Sequence, residues 1–238
     1  MSINEWKNNQ TTYILSLNKY EKQMIKDYTD DGHTLLRNTV IQDDQFDWET
    51  FYKNIGKGQV HFYELIMYKV LRILRQNSRL IPRQIKTEMG WNQPLDIETL
   101  KHKSVWIPAK MYKEAIGKIQ KDINRLILNS PPLLEDMTVY RGTIDPYFKK
   151  DDKYISPVIV STSLRETIAL TFTGTDCCLK KIHVPKGCHV LYVEPLTVIE
   201  QEEEVLLPEH TSFVIEKEYI ENEKRVFEMK VNLKKQEE

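Results

Sequence analysis

Apolar residues in the first half of the chain recur every three or four positions, the spacing that places them on one face of a helix. One such stripe lies in SLNKYEKQMIKDYTDDGHTLLRNTV, residues 16–40, where Asp30-Asp31-Gly32 is a stop signal before another helical turn. Two further stripes, VHFYELIMYKVLRILRQ and AKMYKEAIGKIQKDINRLILNS, have the same period and end at polar or proline-containing segments. The pattern predicts that residues 1–130 are mainly helical.

The pattern changes after Pro131 and Pro132 to short runs rich in β-branched and aromatic residues. The runs are MTVYRG, VIVSTS, LKKIHV, HVLYVE, EVLL, TSFVIE and RVFEMKVNL, separated by Gly, Pro, Asp and Asn. Helices followed by strands favour an α+β fold, with residues 1–130 as a helical part and residues 131–238 as a β-rich core. We expect the two parts to form one domain overall.

Composition and charge exclude several classes of protein. The chain has 238 residues, is 40% hydrophobic and carries a formal net charge of -1, so it can bury a core but has no global field to attract nucleic acid. Its three cysteines form neither a paired disulfide framework nor a C-x-x-C metal motif. The polar start and the lack of a long apolar run predict no signal peptide and no membrane span. We expect a monomer that is cytoplasmic or delivered into another cell.

Common nucleotide, metal and hydrolase motifs are missing from the sequence. It contains neither G-x-G-x-x-G nor a P-loop, and its six histidines show no H-E-x-x-H spacing, so we expect no metal. The Ser-Thr-Ser at residues 161–163 lacks the G-x-S-x-G of serine hydrolases. If these hydroxyls contribute to function, they must orient another group.

Three polar interruptions occur in the β-rich half, in the order Tyr140-Arg141-Gly142, Ser161-Thr162-Ser163 and Glu202-Glu203-Glu204. Taken singly, each has an ordinary explanation: a surface cation, polar residues compatible with a strand, and a solvated charge run. Their joint presence in this order calls for a functional explanation.

The ordered set resembles the arginine-serine-glutamate class of mono-ADP-ribosyltransferases, which includes actin-modifying binary toxins, Rho-modifying clostridial exoenzymes and vertebrate ecto-enzymes. TVYRGT is similar to the first motif, VIVSTSLRETIALTF to the second, and KIHVPKGCHVLYVEPLTVIEQEEEVLLPEHTSFVI to the long third block. Upstream, EKQMIKDYTDDGHTLLR resembles the helix that precedes the family core. The resemblance covers about residues 13–230, except roughly 42–110.

The resemblance implies a fold of two packed, mostly antiparallel sheets that form an NAD cleft, with the helical half against one side. It also implies NAD as co-substrate, cleavage of the bond between nicotinamide and ribose, and transfer of ADP-ribose to a protein acceptor, as in a toxin-like effector. An oxocarbenium-like charge develops on the ribose during such cleavage, so a fixed carboxylate beside it stabilises the transition state.

The resemblance assigns the catalytic roles to Glu204, which stabilises the ribose, Glu202, the first glutamate of Glu-x-Glu, and Ser161, which holds Glu204. Strand alternation is expected to put Glu202 and Glu204 on one face and turn Glu203 away. Carboxylates crowded in this way raise one another's pKa. The implied cofactor-binding residues are Arg141, Gly142, Thr162, Ser163, Phe172, Arg37 and Arg165.

The resemblance also implies individual cofactor contacts, and side-chain chemistry is compatible with them. The planar guanidinium of Arg141 suits the pyrophosphate, and Gly142 lets the backbone approach the nicotinamide amide. Phe172 is either a ring against nicotinamide or a buried core residue, and Arg165 either touches phosphate or faces solvent.

The acceptor depends on the first residue of the Glu-x-Glu motif. In the family, glutamate there goes with transfer to arginine and glutamine with transfer to asparagine or cysteine. Glu202-x-Glu204 therefore favours arginine, whereas the shifted register Gln201-x-Glu203 would favour the other acceptors. An NAD glycohydrolase and an inactive interaction module with the same fold are the remaining alternatives.

Overall fold

Helices come first along the chain and strands follow, as the apolar pattern predicts. The computed structural model describes residues 3–32, 60–76, 109–144, 153–172, 177–197 and 201–232. Within them lie the helices α1 (Ile3–Ser16), α2 (Lys19–Asp27), α3 (Val60–Gln76), α4 (Ala109–Leu128) and α5 (Glu166–Thr171), with a π-helical turn at Tyr28–Gly32. The strands are β1 (Met137–Ile144), β2 (Lys153–Ile155), β3 (Val160–Ser163), β4 (Cys177–Val184), β5 (Leu191–Tyr192), β6 (Glu204–Leu207), β7 (Ser212–Glu221) and β8 (Lys224–Val231).

Helix α1 is the main departure from the expected helical pattern, which began only at residue 16. Its buried residues are Trp6, Gln10 and Ile14, spaced four apart, so they form one helical face. Gln10 is buried because its amide bonds in both directions: Nε2 donates to the carbonyl of Pro131 at 2.7 Å, and Oε1 accepts the N–H of Tyr192 at 3.2 Å. Because the central residue of the buried face is polar, the hydrophobic pattern did not predict this helix.

Helix α2 begins at a capping box. Oδ1 of Asn18 accepts the backbone N–H of Glu21 at 3.0 Å, and Oε2 of Glu21 accepts the N–H of Asn18 at 3.2 Å. Two of the N–H groups that a helix start leaves without partners are satisfied in this way. The cap explains why the chain starts a new helix directly after α1 ends.

The eight strands lie side by side in the order β2-β7-β8-β4-β1-β3-β6-β5. Neighbouring strands are antiparallel except β4 and β8, which are parallel. The predicted α+β fold with a mostly antiparallel sheet is confirmed. The further division into two packed sheets is not confirmed, because the ladders join all eight strands into one order.

Residues 1–26 and 124–238 form one compact unit, and residues 27–123 form a second. The first unit holds the sheet and a core that includes Trp6, Val139, Ile182, Val205 and Phe227. The predicted domain boundary near residue 130 stays a prediction. Of the helices that the structure describes, none has the length and apolar character needed to cross a membrane.

The second unit contains a helical face of buried apolar side chains. On α3 these include Ile66, Val70 and Leu74, which recur four residues apart. Lys69 on the same helix is also buried, and its ammonium pairs with the carboxylate of Asp122. The pairing offsets the cost of removing a charged group from water.

Candidate active site

The first and third predicted polar motifs meet the second along neighbouring strands. Strands β3 and β6 run antiparallel with Ser161 opposite Leu206 and Ser163 opposite Glu204. Glu204 is the first residue of β6, and its Oε1 accepts a hydrogen bond of 2.6 Å from the hydroxyl of Ser161. The ladder register therefore brings together a serine and a glutamate that lie 43 positions apart in the chain.

The carboxyl group of Glu204 lies in an environment that disfavours its charge. The residue is 6% exposed, and within the described part of the chain its Oε2 has no hydrogen-bond partner. Burial raises the pKa of Glu204 to about 7, with a further increase from the charges of Glu202 and Glu194. The Ser161 hydroxyl and the Arg141 guanidinium act in the opposite direction. The crowding effect expected from the sequence is present, but burial is the larger cause.

The turn before β6 has an unusual backbone. Gln201 and Glu203 both adopt positive φ, 70° and 47°, in the left-handed region that residues with side chains avoid. Strand alternation therefore does not determine where the Glu202 and Glu203 side chains point, because β6 begins only at Glu204. The prediction that these residues alternate along a strand was wrong, because Glu202 and Glu203 precede β6.

The carboxylate of Glu194 holds this turn by accepting hydrogen bonds from backbone N–H groups of the turn. One oxygen accepts the N–H of Gln201 at 2.7 Å, and the other accepts the N–H of Glu203 at 2.6 Å. Hydrogen bonds to an ionised acceptor are stronger than those between neutral groups. Glu194 thereby binds the residues on both sides of Glu202.

The end of β3 holds the carbonyl groups of the same turn. The hydroxyl of Ser163 donates to the carbonyl of Glu202 at 2.6 Å, and the N–H of Leu164 donates to the carbonyl of Glu203 at 3.0 Å. Thr162 donates its hydroxyl to the carbonyl of Val205 at 2.7 Å. The hydroxyls of Thr162 and Ser163 thus bind the backbone on the two sides of Glu204. Their predicted role in cofactor binding stays a prediction.

The two glutamates before Glu204 have different neighbours. Glu203 pairs with the ammonium of Lys7 at 3.1 Å, and that ammonium also lies 5.2 Å from the ring centre of Tyr192. Burial raises the pKa of Tyr192 to about 12, and nearby Glu203 and Glu194 add to the increase. Burial also raises the pKa of Glu202, followed by the charge of Glu194.

Arg141 lies on β1 directly beside the serine motif. Its Nη1 donates to the carbonyl of Ser161, and its charge is near enough to Glu204 to lower the pKa of that carboxyl group. The next residue, Gly142, lies in the same strand opposite Leu179 of β4. The structure thus brings a guanidinium, a serine and two glutamates to one region of the sheet.

Two further predicted cofactor residues, Arg165 and Phe172, lie beyond the end of β3. Phe172 follows α5 and is 61% exposed, so the alternative of a buried core phenylalanine was wrong. Arg165 is exposed, and its backbone N–H donates to the Ser163 hydroxyl at 2.9 Å. Arg37 and Glu200 lie outside the described residues.

Sequence reasoning missed two residues that hold the site. Glu194 was counted only as the end of the strand run HVLYVE, and Lys7 lies in a segment taken as polar. Neither has a local motif that could have revealed its contacts, because the partners are 7 or more positions away in the chain.

Comparisons with known proteins give one family match, which covers part of the chain. Residues 150–236 match the family model for the ADP-ribosyltransferase exoenzymes. Among curated proteins there is no match.

Solved structures with the same fold cover almost the whole chain. Plx2a, an ADP-ribosyltransferase toxin from Paenibacillus larvae, is 16% identical with a TM-score of 0.55, covering 96% of this chain and 94% of that one. The C3 exoenzyme of Clostridium limosum is 16% identical with a TM-score of 0.53, covering 98% and 95%. BECa, an ADP-ribosylating toxin of a C. perfringens binary enterotoxin solved with NADH, is 12% identical with a TM-score of 0.57, covering 96% and 47%.

The predicted resemblance to bacterial ADP-ribosylating toxins is confirmed by the family match and by these structures. At such low identity the structural likeness establishes the fold, while the family match supports a transferase that uses NAD. The prediction of NAD as co-substrate agrees with both comparisons.

Proposed function

We propose that the chain is a mono-ADP-ribosyltransferase that cleaves NAD, releases nicotinamide and transfers ADP-ribose to an arginine side chain. One observation carries the proposal: a buried glutamate at the start of a strand accepts a 2.6 Å hydrogen bond from Ser161, within residues 150–236 that match the exoenzyme family. A carboxylate fixed in this way can face a developing positive charge without reorganising at the moment of reaction.

Glu204 stabilises the ribose as its bond to nicotinamide breaks. The bonding electron pair leaves with the nicotinamide nitrogen, and positive charge develops on the ribose carbon and ring oxygen. Oε1 of Glu204 is held by Ser161, and the buried Oε2 is available for the sugar among the described contacts. The positive charge of the nicotinamide ring in bound NAD favours the ionised carboxylate, although burial raises its pKa to about 7.

Glu202 receives the acceptor. An arginine guanidinium is a cation with a pKa above about 12, so a second carboxylate can hold it and remove a proton as its nitrogen attacks the ribose carbon. The attack forms the new bond between nitrogen and carbon, and Glu202 takes the proton that the nitrogen loses. Its charge acts on Glu204 strongly enough to raise the pKa of that group, which supports a position close to the reacting sugar.

The contacts of Glu203 support Glu202-x-Glu204 as the working pair. The Glu203 carboxylate pairs with Lys7 at 3.1 Å, whereas Glu204 is the residue that Ser161 contacts. Under the shifted register Gln201-x-Glu203, the catalytic carboxylate would be the one paired with Lys7 and only partly buried. This difference favours arginine over asparagine or cysteine as acceptor.

Three further residues of the proposed site can contact the bound NAD. Arg141 can hydrogen-bond the pyrophosphate because its planar guanidinium carries several N–H donors in a fixed geometry. Gly142 beside it carries no side chain that would keep the nicotinamide amide away from β1. The exposed ring of Phe172 can cover the nicotinamide, since its hydrophobic surface is otherwise left in water.

The test uses NAD labelled in the adenine moiety, with agmatine as a small guanidinium acceptor and a cell lysate as the source of protein acceptors. We expect labelled ADP-ribosyl-agmatine and labelled protein, with mass spectrometry locating the modification on arginine. Free ADP-ribose without any labelled acceptor would instead establish an NAD glycohydrolase. Absence of NAD consumption would indicate an inactive interaction module, and label on asparagine or cysteine would overturn the choice of acceptor.

A further inference from the structure

The side chain of Glu194 forms its hydrogen bonds with a turn that lies 7 to 9 positions further along the chain. Glu194 follows β5 and begins a short 3-10 turn, Glu194–Leu196. This turn would form equally well if the Glu194 side chain were in solvent. Its two carboxylate oxygens instead each accept a backbone N–H, from Gln201 at 2.7 Å and from Glu203 at 2.6 Å. Both acceptor oxygens are thus committed to the turn that carries Glu202.

The turn requires such support because its backbone is strained. Gln201 and Glu203 are not glycines, yet both have left-handed φ values. Residues with a Cβ hold this conformation only where surrounding contacts determine it, and such strain is concentrated at functional sites. Two hydrogen bonds to an ionised acceptor are contacts of sufficient strength.

The contacts flank Glu202 on both sides and leave its side chain untouched. Glu194 binds the N–H groups before and after Glu202, while Ser163 and Leu164 bind the carbonyls of Glu202 and Glu203. The peptide units around Glu202 are therefore fixed from two directions. A change at Glu194 releases only the N–H side and leaves the contact between Ser161 and Glu204 in place.

The charge of Glu194 acts on the same site. It contributes to the raised pKa values of Glu202 and Glu204, after burial in each case. Other groups that face Glu204 are Ser161, Arg141 and Glu202. Lys7 faces Glu203 on the same turn.

We propose that Glu194 is a positioning residue for the transfer step, which holds Glu202 beside Glu204 by clamping the two left-handed residues around it. The inference rests on the proposed transferase function and adds a residue outside the three polar interruptions at residues 140–142, 161–163 and 202–204. Glu194 touches neither NAD nor acceptor in this role. It acts through the backbone of Gln201 and Glu203.

Three variants separate the clamp from the charge. Glu194→Gln keeps the volume but replaces one acceptor oxygen by an amide NH2 group, which donates hydrogen bonds and cannot accept an N–H. Glu194→Asp keeps the charge and shortens the reach, and we expect it to restore part of the lost activity. Glu216→Gln, on the exposed part of β7, is the matched control for loss of one surface carboxylate.

The first measurement needs no activity: amide hydrogen exchange of Gln201 and Glu203 by NMR in the folded wild type and variants. Glu194→Gln should speed the exchange of at least one of these amides by roughly tenfold or more, because its local opening no longer breaks a charge-assisted bond. Glu216→Gln should leave both rates unchanged. Unchanged rates at both amides in Glu194→Gln would overturn the proposal.

The second measurement compares transfer to agmatine with NAD hydrolysis across pH. In Glu194→Gln the kcat for transfer should fall by about tenfold or more, since small displacements of a catalytic group are costly, while hydrolysis should fall less. The acid limb of the remaining transfer activity should move to lower pH, because a negative charge near Glu202 and Glu204 is gone. A merely structural role would instead lower transfer and hydrolysis alike, so the unequal loss of the two activities identifies the positioning role.

The outcomes distinguish this inference from the function on which it rests. A wild-type chain that performs no transfer overturns the proposed function and the positioning role together. An active wild type in which Glu194→Gln matches Glu216→Gln in kcat and pH profile overturns the positioning role alone. Equal losses of transfer and hydrolysis with an unmoved acid limb would also contradict it.

Discussion

The hydroxyl of Ser161 donates a 2.6 Å hydrogen bond to Oε1 of Glu204 across neighbouring strands β3 and β6. This bond joins the second and third sequence motifs in one buried place. It also partly offsets the burial that raises the pKa of Glu204 to about 7. Several consequences of this arrangement can be measured.

Ser161→Ala should raise the pKa of Glu204 above about 7, because the hydroxyl that favours the ionised form is lost. NAD cleavage at pH 7 should fall about tenfold, the effect of losing one hydrogen bond to a charged group, and recover partly at higher pH. The pH profile of kcat measures the shift. Ser16→Ala, at the exposed end of α1, is the control, and an acid limb in Ser161→Ala that coincides with wild type would contradict the expectation.

The raised pKa of Glu204 also predicts how stability depends on pH. The ordinary pKa of a glutamate is 4.5, and that of Glu204 in the folded chain is about 7. Between these two pH values, Glu204 keeps its proton in the folded chain and has lost it in the unfolded chain. Stability from this group is therefore fully present below the unfolded pKa and is lost as pH rises through the folded one, by up to about 3 kcal/mol.

Glu204→Gln removes this dependence, because glutamine does not ionise. As pH rises from 5 to 8, the free energy of unfolding of the variant should increase relative to that of wild type. Urea unfolding at both pH values measures this difference. Glu216→Gln should follow wild type. If the stabilities of wild type and Glu204→Gln changed with pH in the same way, burial would not raise the pKa of the Glu204 carboxyl group.

Arg141→Lys should weaken NAD binding, since a compact ammonium replaces a planar guanidinium that can bond phosphate and the Ser161 carbonyl at once. The loss should be about tenfold or more in Kd, measured by calorimetry. Arg225→Lys changes a guanidinium on β8 that pairs with Glu218 and should leave the affinity unchanged. Equal affinities for wild type and Arg141→Lys would remove Arg141 from the cofactor site.

Glu202→Gln should separate transfer from hydrolysis. Transfer to arginine or agmatine should nearly disappear, because no second carboxylate holds the guanidinium, while much of the slow hydrolysis of NAD remains. Glu203→Gln should change both activities little, since its side chain pairs with Lys7. If Glu203→Gln abolished activity and Glu204→Gln did not, the register would be Gln201-x-Glu203 and the acceptor would be asparagine or cysteine.

Periodic patterns predicted most of the elements that position the site. The stripes ending in RILRQ and RLILNS correspond to α3 and α4, and seven predicted β runs correspond to strands. The short strand β2 and helix α5 were not predicted, because three and six residues are too few to show a period. Helix α1 was not predicted from periodicity because Gln10 interrupts its apolar face.

The site was predictable where its ordered motifs resemble those of a known family, as in the pairing of Ser161 with Glu204. It was not predictable where the turn before β6 decides the geometry, because left-handed φ at Gln201 and Glu203 leaves no mark in the sequence. The contacts of Glu194 and Lys7 depend on the folded chain for the same reason. Tertiary contacts, rather than strand pairing, hold the turn that carries Glu202 and Glu203.

Glu204→Gln tests the central claim most directly, because it keeps the volume of the side chain and removes only the charge proposed to stabilise the ribose. The measurement is the release of nicotinamide from NAD by the folded variant, with and without agmatine, at pH 8. We expect both activities to fall by at least roughly 10²- to 10³-fold, the effect of removing one electrostatic stabiliser. Activity within a few-fold of wild type would contradict the assignment of Glu204 as the catalytic carboxylate.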